Sequence, residues 1–161
     1  MRQHTVIAAL VAAFIVSGCT PTTVNVSRDW DSAPDERFTH QVELQAEMPE
    51  GQLNNFEKQL SSHLDAADVA ANGQATHEVN VTITEYDMHN YLVRYLIGWF
   101  AGGESMISEV TVTDARTGEL IGESMVKTEP RGELRTTDSL TSEHAEHIVA
   151  YLQQGGQSGE Y

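Results

Sequence analysis

Residues 107–126 read ISEVTVTDARTGELIGESMV, and they decide the architecture. Alternating apolar and polar residues flank the loop DARTG on both sides, the pattern of two half-buried strands joined as a hairpin. Asp114 is placed to hydrogen-bond its own backbone, and Gly118 supplies a positive φ at the exit. Working outward, THEVNVTITEYDM (76–88) alternates through Val79, Val81 and Ile83 and predicts another strand. FTHQVELQAEM (38–48) does the same, with Phe38, His40, Val42, Leu44, Ala46 and Met48 on one face.

Two segments carry helical spacing instead. Leu53, Phe56, Leu60, Leu64 and Ala67 recur at three- and four-residue steps, begin after Pro49 and Gly51, and stop near Asn72-Gly73. In DSLTSEHAEHIVAYLQQ (138–154), Leu140, Ile148, Val149 and Leu152 share one helical face. The expected order is β-α-β-β-β-α. One-sided strands with amphipathic helices predict an α+β layer: an antiparallel sheet of about four strands with two helices on one face. The domain is expected over 36–153, with residues 154–161, QGGQSGEY, as a flexible C-terminal tail.

The N-terminus has a different character. Arg2 precedes an apolar core, TVIAALVAAFIV (5–16), too short for the ~20 residues that span a bilayer but suited to a signal peptide. VSGC (16–19) then resembles a bacterial lipobox, whose cysteine is alkylated with diacylglycerol before cleavage in front of it. Residues 1–18 are therefore expected to be a lipoprotein signal peptide. Cys19, the only cysteine of 161 residues, is the lipidation site and forms no internal disulfide. Two or three acyl chains at ~0.8 kcal/mol per buried CH₂ make release negligible. Thr20 rather than Asp after the cysteine favours sorting to the outer membrane, by resemblance to lipoproteins of two-membrane bacteria, with the domain facing the periplasm. Residues 19–35, with two prolines and several Ser and Thr, are expected to form a flexible tether, and Trp30 to pack on the domain.

Composition narrows the function. The chain is 40% hydrophobic and 20% charged, ordinary for one globular domain, but its net charge is −15. Such a chain repels phosphate backbones, which excludes nucleic acid as a partner.

The most apolar part of the mature chain is NYLVRYLIGWFAGGES (90–105). Its glycines match no phosphate-binding loop. Two readings stand side by side: a core-packing connection, or an interaction patch formed by Tyr95, Leu96, Ile97, Trp99 and Phe100.

TEYDMHNYLVRYLIGWFAGGESMISEVTVTDARTGELIG (84–122) resembles the domain-of-unknown-function 4410 family of small bacterial lipoproteins. Asp87, Asn90, Arg94, Gly98, Gly102, Asp114, Thr117 and Gly118 carry the resemblance; His89 and Phe100 depart from it. The resemblance implies an envelope lipoprotein with no assigned activity.

Candidate chemistry is sparse. EHAEH (143–147) is the densest set of metal-ligand types, with His144 and His147 three apart on a predicted helix. Zinc needs a third ligand and a supporting second layer of contacts, and the spacing matches neither HExxH nor HxxEH. His144 also lies four residues from both Leu140 and Ile148, on the edge of the packed face. No GxSxG is present, and the strand carboxylates occupy alternate, solvent-facing positions. The expectation is a non-enzymatic, lipid-anchored envelope protein without a cofactor. It acts as an interaction or assembly module that binds another envelope protein or its own copies. The alternative is an envelope domain binding a small ligand or metal through His144 and His147.

Overall fold

A computed structural model describes residues 22–31, 33, 35–88, 105–129 and 137–155. Cys19, the expected signal peptide (1–18), and the stretch holding His89, Asn90, Arg94, Tyr95, Leu96, Ile97, Gly98, Trp99, Phe100 and Gly102 lie outside the described residues.

The elements in chain order are β1 (Thr22–Arg28), β2 (Phe38–Leu44), α1 (Glu50–Ala66), β3 (His77–Asp87), β4 (Ser105–Asp114), β5 (Leu120–Thr128) and α2 (Thr137–Gln153). They build a five-stranded mixed sheet in the order β1-β5-β4-β3-β2. The α+β class, both helices and the hairpin are as expected. The sheet is corrected in two respects.

First, a fifth strand occupies the expected tether. TTVNVSR pairs antiparallel with β5, Thr22 opposite Thr128 and Val24 opposite Val126, and buries Thr22 and Val24. The proline, serine and threonine content of the segment hid a run of β-branched residues at 22, 23, 24 and 26, which suits a pleated edge. Second, β2 and β3 are parallel, Phe38 opposite His77 and Leu44 opposite Ile83. The reason is the helix between them. A strand, a crossover helix and a second strand in one sheet return the chain in the same direction. β2 also ends at Leu44, short of the expected alternation through Met48.

Cross-strand register places the core. Val79 and Val81 of β3 face Val112 and Val110 of β4, and Ser108 of β4 faces Val126 of β5. All are buried, and both helices cover that same face. Phe56, Leu60 and Leu64 come from α1; Leu140, Ala145, Ile148, Val149, Tyr151 and Leu152 come from α2. On the opposite face Thr39, Gln41 and Glu43 of β2, Glu78 of β3 and Glu109 of β4 alternate outward. Among the described residues no helix is long and apolar enough to cross a membrane.

The sheet has two distinct ends. At one, Thr22 begins β1, Thr128 ends β5, Ser105 begins β4 and Asp87 ends β3. At the other lie the β4–β5 hairpin, the start of β2 and the 71–76 turn, where Ala71 N–H donates to the Phe38 carbonyl and Thr76 N–H to that of Arg37. Trp30 closes this second end. Its backbone N–H donates to the Gly155 carbonyl at 2.8 Å, its indole N–H to Glu36 Oε1 at 3.1 Å, and its ring stands edge-on to Tyr151 at 5.5 Å. Gly122 makes that seat available, since a Cβ there would lie 2.5 Å from the indole.

Candidate functional site

His144, one of the two candidate metal ligands, is a buried core residue. β4 and β5 each direct a hydroxyl at it from the packed face. Its Nδ1 lies 2.8 Å from Thr128 Oγ1 and its Nε2 2.9 Å from Ser108 Oγ. Thr22 Oγ1 contacts Thr128 Oγ1 at 3.4 Å, linking the edge strand to the same chain of polar groups. Burial, reinforced by the neighbouring His147, pushes the His144 pKa down to about 3. The imidazole is therefore neutral at ordinary pH, one nitrogen donating and the other accepting. Both ring nitrogens are engaged by hydroxyls, so neither is left over to ligate a metal.

His147 is half-buried; burial lowers its pKa, and Glu143 and Glu146 oppose the shift. Among the described residues no group of three or more His, Cys, Asp or Glu converges in a manner that could hold a metal ion. The helical spacing therefore put two imidazoles near one another without supplying a ligand set. Sequence reasoning missed the hydroxyl partners, because Ser108 and Thr128 come from strands distant in sequence.

Asp114, Thr117 and Gly118 form the turn they were expected to form. Asp114 Oδ1 accepts from the backbone N–H of Arg116 at 2.9 Å and of Thr117 at 2.7 Å, and from the Thr117 hydroxyl at 3.0 Å. Those bonds from Thr117, followed by Arg116, hold its carboxyl below the usual range. Gly118 has φ +70° and donates its N–H to the Asp114 carbonyl at 2.8 Å. This part of the family resemblance thus encodes a hairpin.

An open depression of about 410 Å³ lies at the Trp30 end, between Glu36, Arg37, Phe38, Val69 and Leu152. Its charged groups are engaged in structure: Glu36 accepts from Trp30, and the Arg37 guanidinium donates to the Glu36 carbonyl at 2.7 Å. It contains no nucleophile–base pair.

The other end of the sheet gathers features of a different kind. It is where β1 begins, three residues beyond Cys19, and where β3 ends at Asp87 and β4 begins at Ser105. Leu44, at the end of β2, is 38% exposed there.

The match to the family model "Domain of unknown function (DUF4410)" runs over residues 15–130, and the chain belongs to that family. No curated protein matches the sequence. Among solved structures, the chain is similar to PelC from Paraburkholderia phytofirmans, a dodecamer seen in two crystal forms. The identities are 13% and 12%, with TM-scores of 0.61 and 0.60, covering 84% of this chain and 99% of that one. It is also similar to the hypothetical protein CT253 from Chlamydia trachomatis, at 12% identity and TM-score 0.56, over 75% of this chain and 98% of that one. At these identities the likeness establishes the fold.

Proposed function

We propose that this protein is a non-enzymatic lipoprotein of the bacterial envelope that is anchored through Cys19 and acts as a self-associating assembly subunit. The observation that carries the self-association is the likeness, over nearly the whole of the other chain, to the subunit of a dodecamer. Two features of the sheet support it. β1 and β2 are both edge strands, and an edge presents unpaired N–H and C=O groups to a neighbouring copy. The outward sheet face is polar, so a contact there is compatible with a protomer that is soluble before it assembles.

The lipid anchor is supported by the lipobox VSGC and by an h-region too short to span a bilayer. The Thr after Cys19 supports retention in the outer membrane, with the domain on the periplasmic side. The absence of enzymatic activity is proposed from the chemistry of the described residues, whose imidazole–hydroxyl cluster is sealed in the core.

Light scattering of the lipidated chain, corrected for detergent, tests the assembly. A mass of several protomers is expected, and a monomer at all concentrations overturns it. Fractionation of a Cys19→Ala variant tests the anchor. The variant is expected to leave the membrane fraction or be mislocalised, and an unchanged membrane fraction refutes lipidation.

A further inference from the structure

We infer that copies of this chain join head to tail through their sheets, the edge of β2 in one copy pairing antiparallel with β1 of the next. This rests on the self-association proposed above and adds to it the surface, its direction and its residues.

Backbone direction is the first argument. β1, β5, β4 and β3 are successively antiparallel, and β2 is parallel to β3. Among the described residues β1 and β2 therefore form the two edges of the sheet and run in opposite directions. Copies repeated by rotation about an axis along the strands bring β1 to β2 as an antiparallel pair. The β2 edge has backbone groups to offer. The Arg37 carbonyl accepts from Thr76 and His77, and Gln45 N–H donates to Ile83, so alternate residues from 37 to 45 address β3. Phe38 turns the other way, its N–H donating to Val69 and its carbonyl accepting from Ala71. By the same alternation His40, Val42 and Leu44 present N–H and C=O groups along the edge. Neither proline nor lysine guards that stretch, and its register with β3 is unbroken.

Side chains are the second argument, and they select one pairing. Cross-strand register sets Asn25, Met125, Glu109, Thr82 and Glu43 in one row across the outward face, and the next row runs from Arg28 to Gln41. Continued level into the next copy, Glu43 meets that copy's Asn25 with Arg28 diagonal to it, and Val42 meets Val26 on the inward face. Val26 and Val42 are half-buried in one copy and Leu44 is 38% exposed, so the contact covers apolar surface the helices leave open. The charges fit this order. β1 holds Arg28 and no carboxylate; β2 holds Glu43 and no lysine or arginine, and Glu57 and Asp65 of α1 act on its His40. Asp29 follows Arg28, Arg37 precedes Phe38 and Lys58 adjoins Glu57, so the contrast belongs to the paired stretches themselves. Pairing β2 with β2 puts two copies of Glu43 on one edge. Stacking two outward faces opposes Glu43, Glu78 and Glu109 to their own kind. A head-to-tail contact repeats, and it closes as a ring when its rotation allows.

The test uses the full lipidated chain in detergent, where the lipid on Cys19 leaves no other native thiol. Asn25, Thr23 and Glu43 are exposed, so Asn25→Cys and Glu43→Cys are made singly and together, and Thr23→Cys with Glu43→Cys covers a two-residue shift of register. Under mild oxidation a double variant is expected to give a ladder of covalent oligomers, and each single variant none. Val42→Pro removes an edge N–H while sparing the β3 ladder, and is expected to reduce the assembly to monomers with an unchanged circular dichroism spectrum. A covalent dimer from either single variant overturns the head-to-tail order. An assembled wild type with no ladder in either double variant, or an unchanged mass in folded Val42→Pro, overturns the surface. A wild type that is monomeric at all concentrations overturns the self-association itself, so the two failures are distinguishable.

Discussion

The two ends of the sheet solve different problems. At the hairpin end the chain turns tightly: Asp114 and Gly118 close β4 onto β5, and Trp30 is held by Gly155, Glu36 and Tyr151. At the other end the connections 88–104 and 129–136 are longer and apolar or arginine-bearing in sequence, and β1 begins there, three residues after Cys19. A turn closed by its own hydrogen bonds and the docking of Trp30 shape one end. Long-range strand pairing, Thr22 with Thr128 and Asp87 with Ser105, assembles the other. The difference teaches that turn residues carrying a family resemblance can be structural, while the other end of a sheet is collected by topology from segments with no shared local motif.

The largest effect is expected where the contrast is sharpest, in β1. Val24→Asp places a carboxylate in the core opposite Val126. It is expected to cost more than ~3 kcal/mol, seen as a collapse of the thermal or urea transition. Unchanged stability would mean that 22–28 is a tether after all. At the opposite end, Gly122→Val drives a branched side chain into the Trp30 ring and is expected to cost about 1–3 kcal/mol. Loss of the Trp30 environment should be visible in near-ultraviolet circular dichroism.

The buried imidazole yields a pH test that joins the two ends through the core. With a folded pKa of about 3 and an ordinary value of 6.5, His144 takes up a proton in the unfolded chain first. Its contribution is complete above pH 6.5 and falls as pH drops toward 3, by up to ~1.4 kcal/mol per pH unit. Burial also lowers His40 and His147, which add to the same acid limb. His144→Leu leaves Ser108 without its partner and is expected to lose about 1–3 kcal/mol at pH 7. Its deficit should shrink by pH 4.5, and urea midpoints at the two pH values measure this. A constant deficit would show that the imidazole is not held neutral. Gly118→Ala is expected to be the mildest, about 1–2 kcal/mol for a left-handed φ in otherwise open space, with the fold intact.

Much of the architecture was legible before the structure. Alternation located β2 to β5, three-and-four spacing located both helices, and DARTG specified its own turn, because each signal is local. β1 was missed because its inward residues, Thr22 and Val24, look like linker residues until β5 is set beside them. The parallel pairing of β2 with β3 was missed, although the helix between them carries its cause, and so was the number of strands. On the site, the sequence set His144 at the edge of the packed face with metal binding as the alternative, and the approach of Ser108 and Thr128 makes it a core hydrogen-bonding group.

By itself, the sequence determined the α+β class, the positions of most elements and the family, because periodicity and turn chemistry act over a few residues. It also held VSGC, the stretch that resembles a lipobox. Tertiary structure alone decided that the residues just after Cys19 are an edge strand and that His144 is sealed among hydroxyls. It also brought Asp87 and Ser105, which flank the most apolar sequence, to the end of the sheet where β1 begins. Those outcomes depend on which distant strands pair, a choice settled by the burial of one common sheet face beneath two helices and not by any single segment.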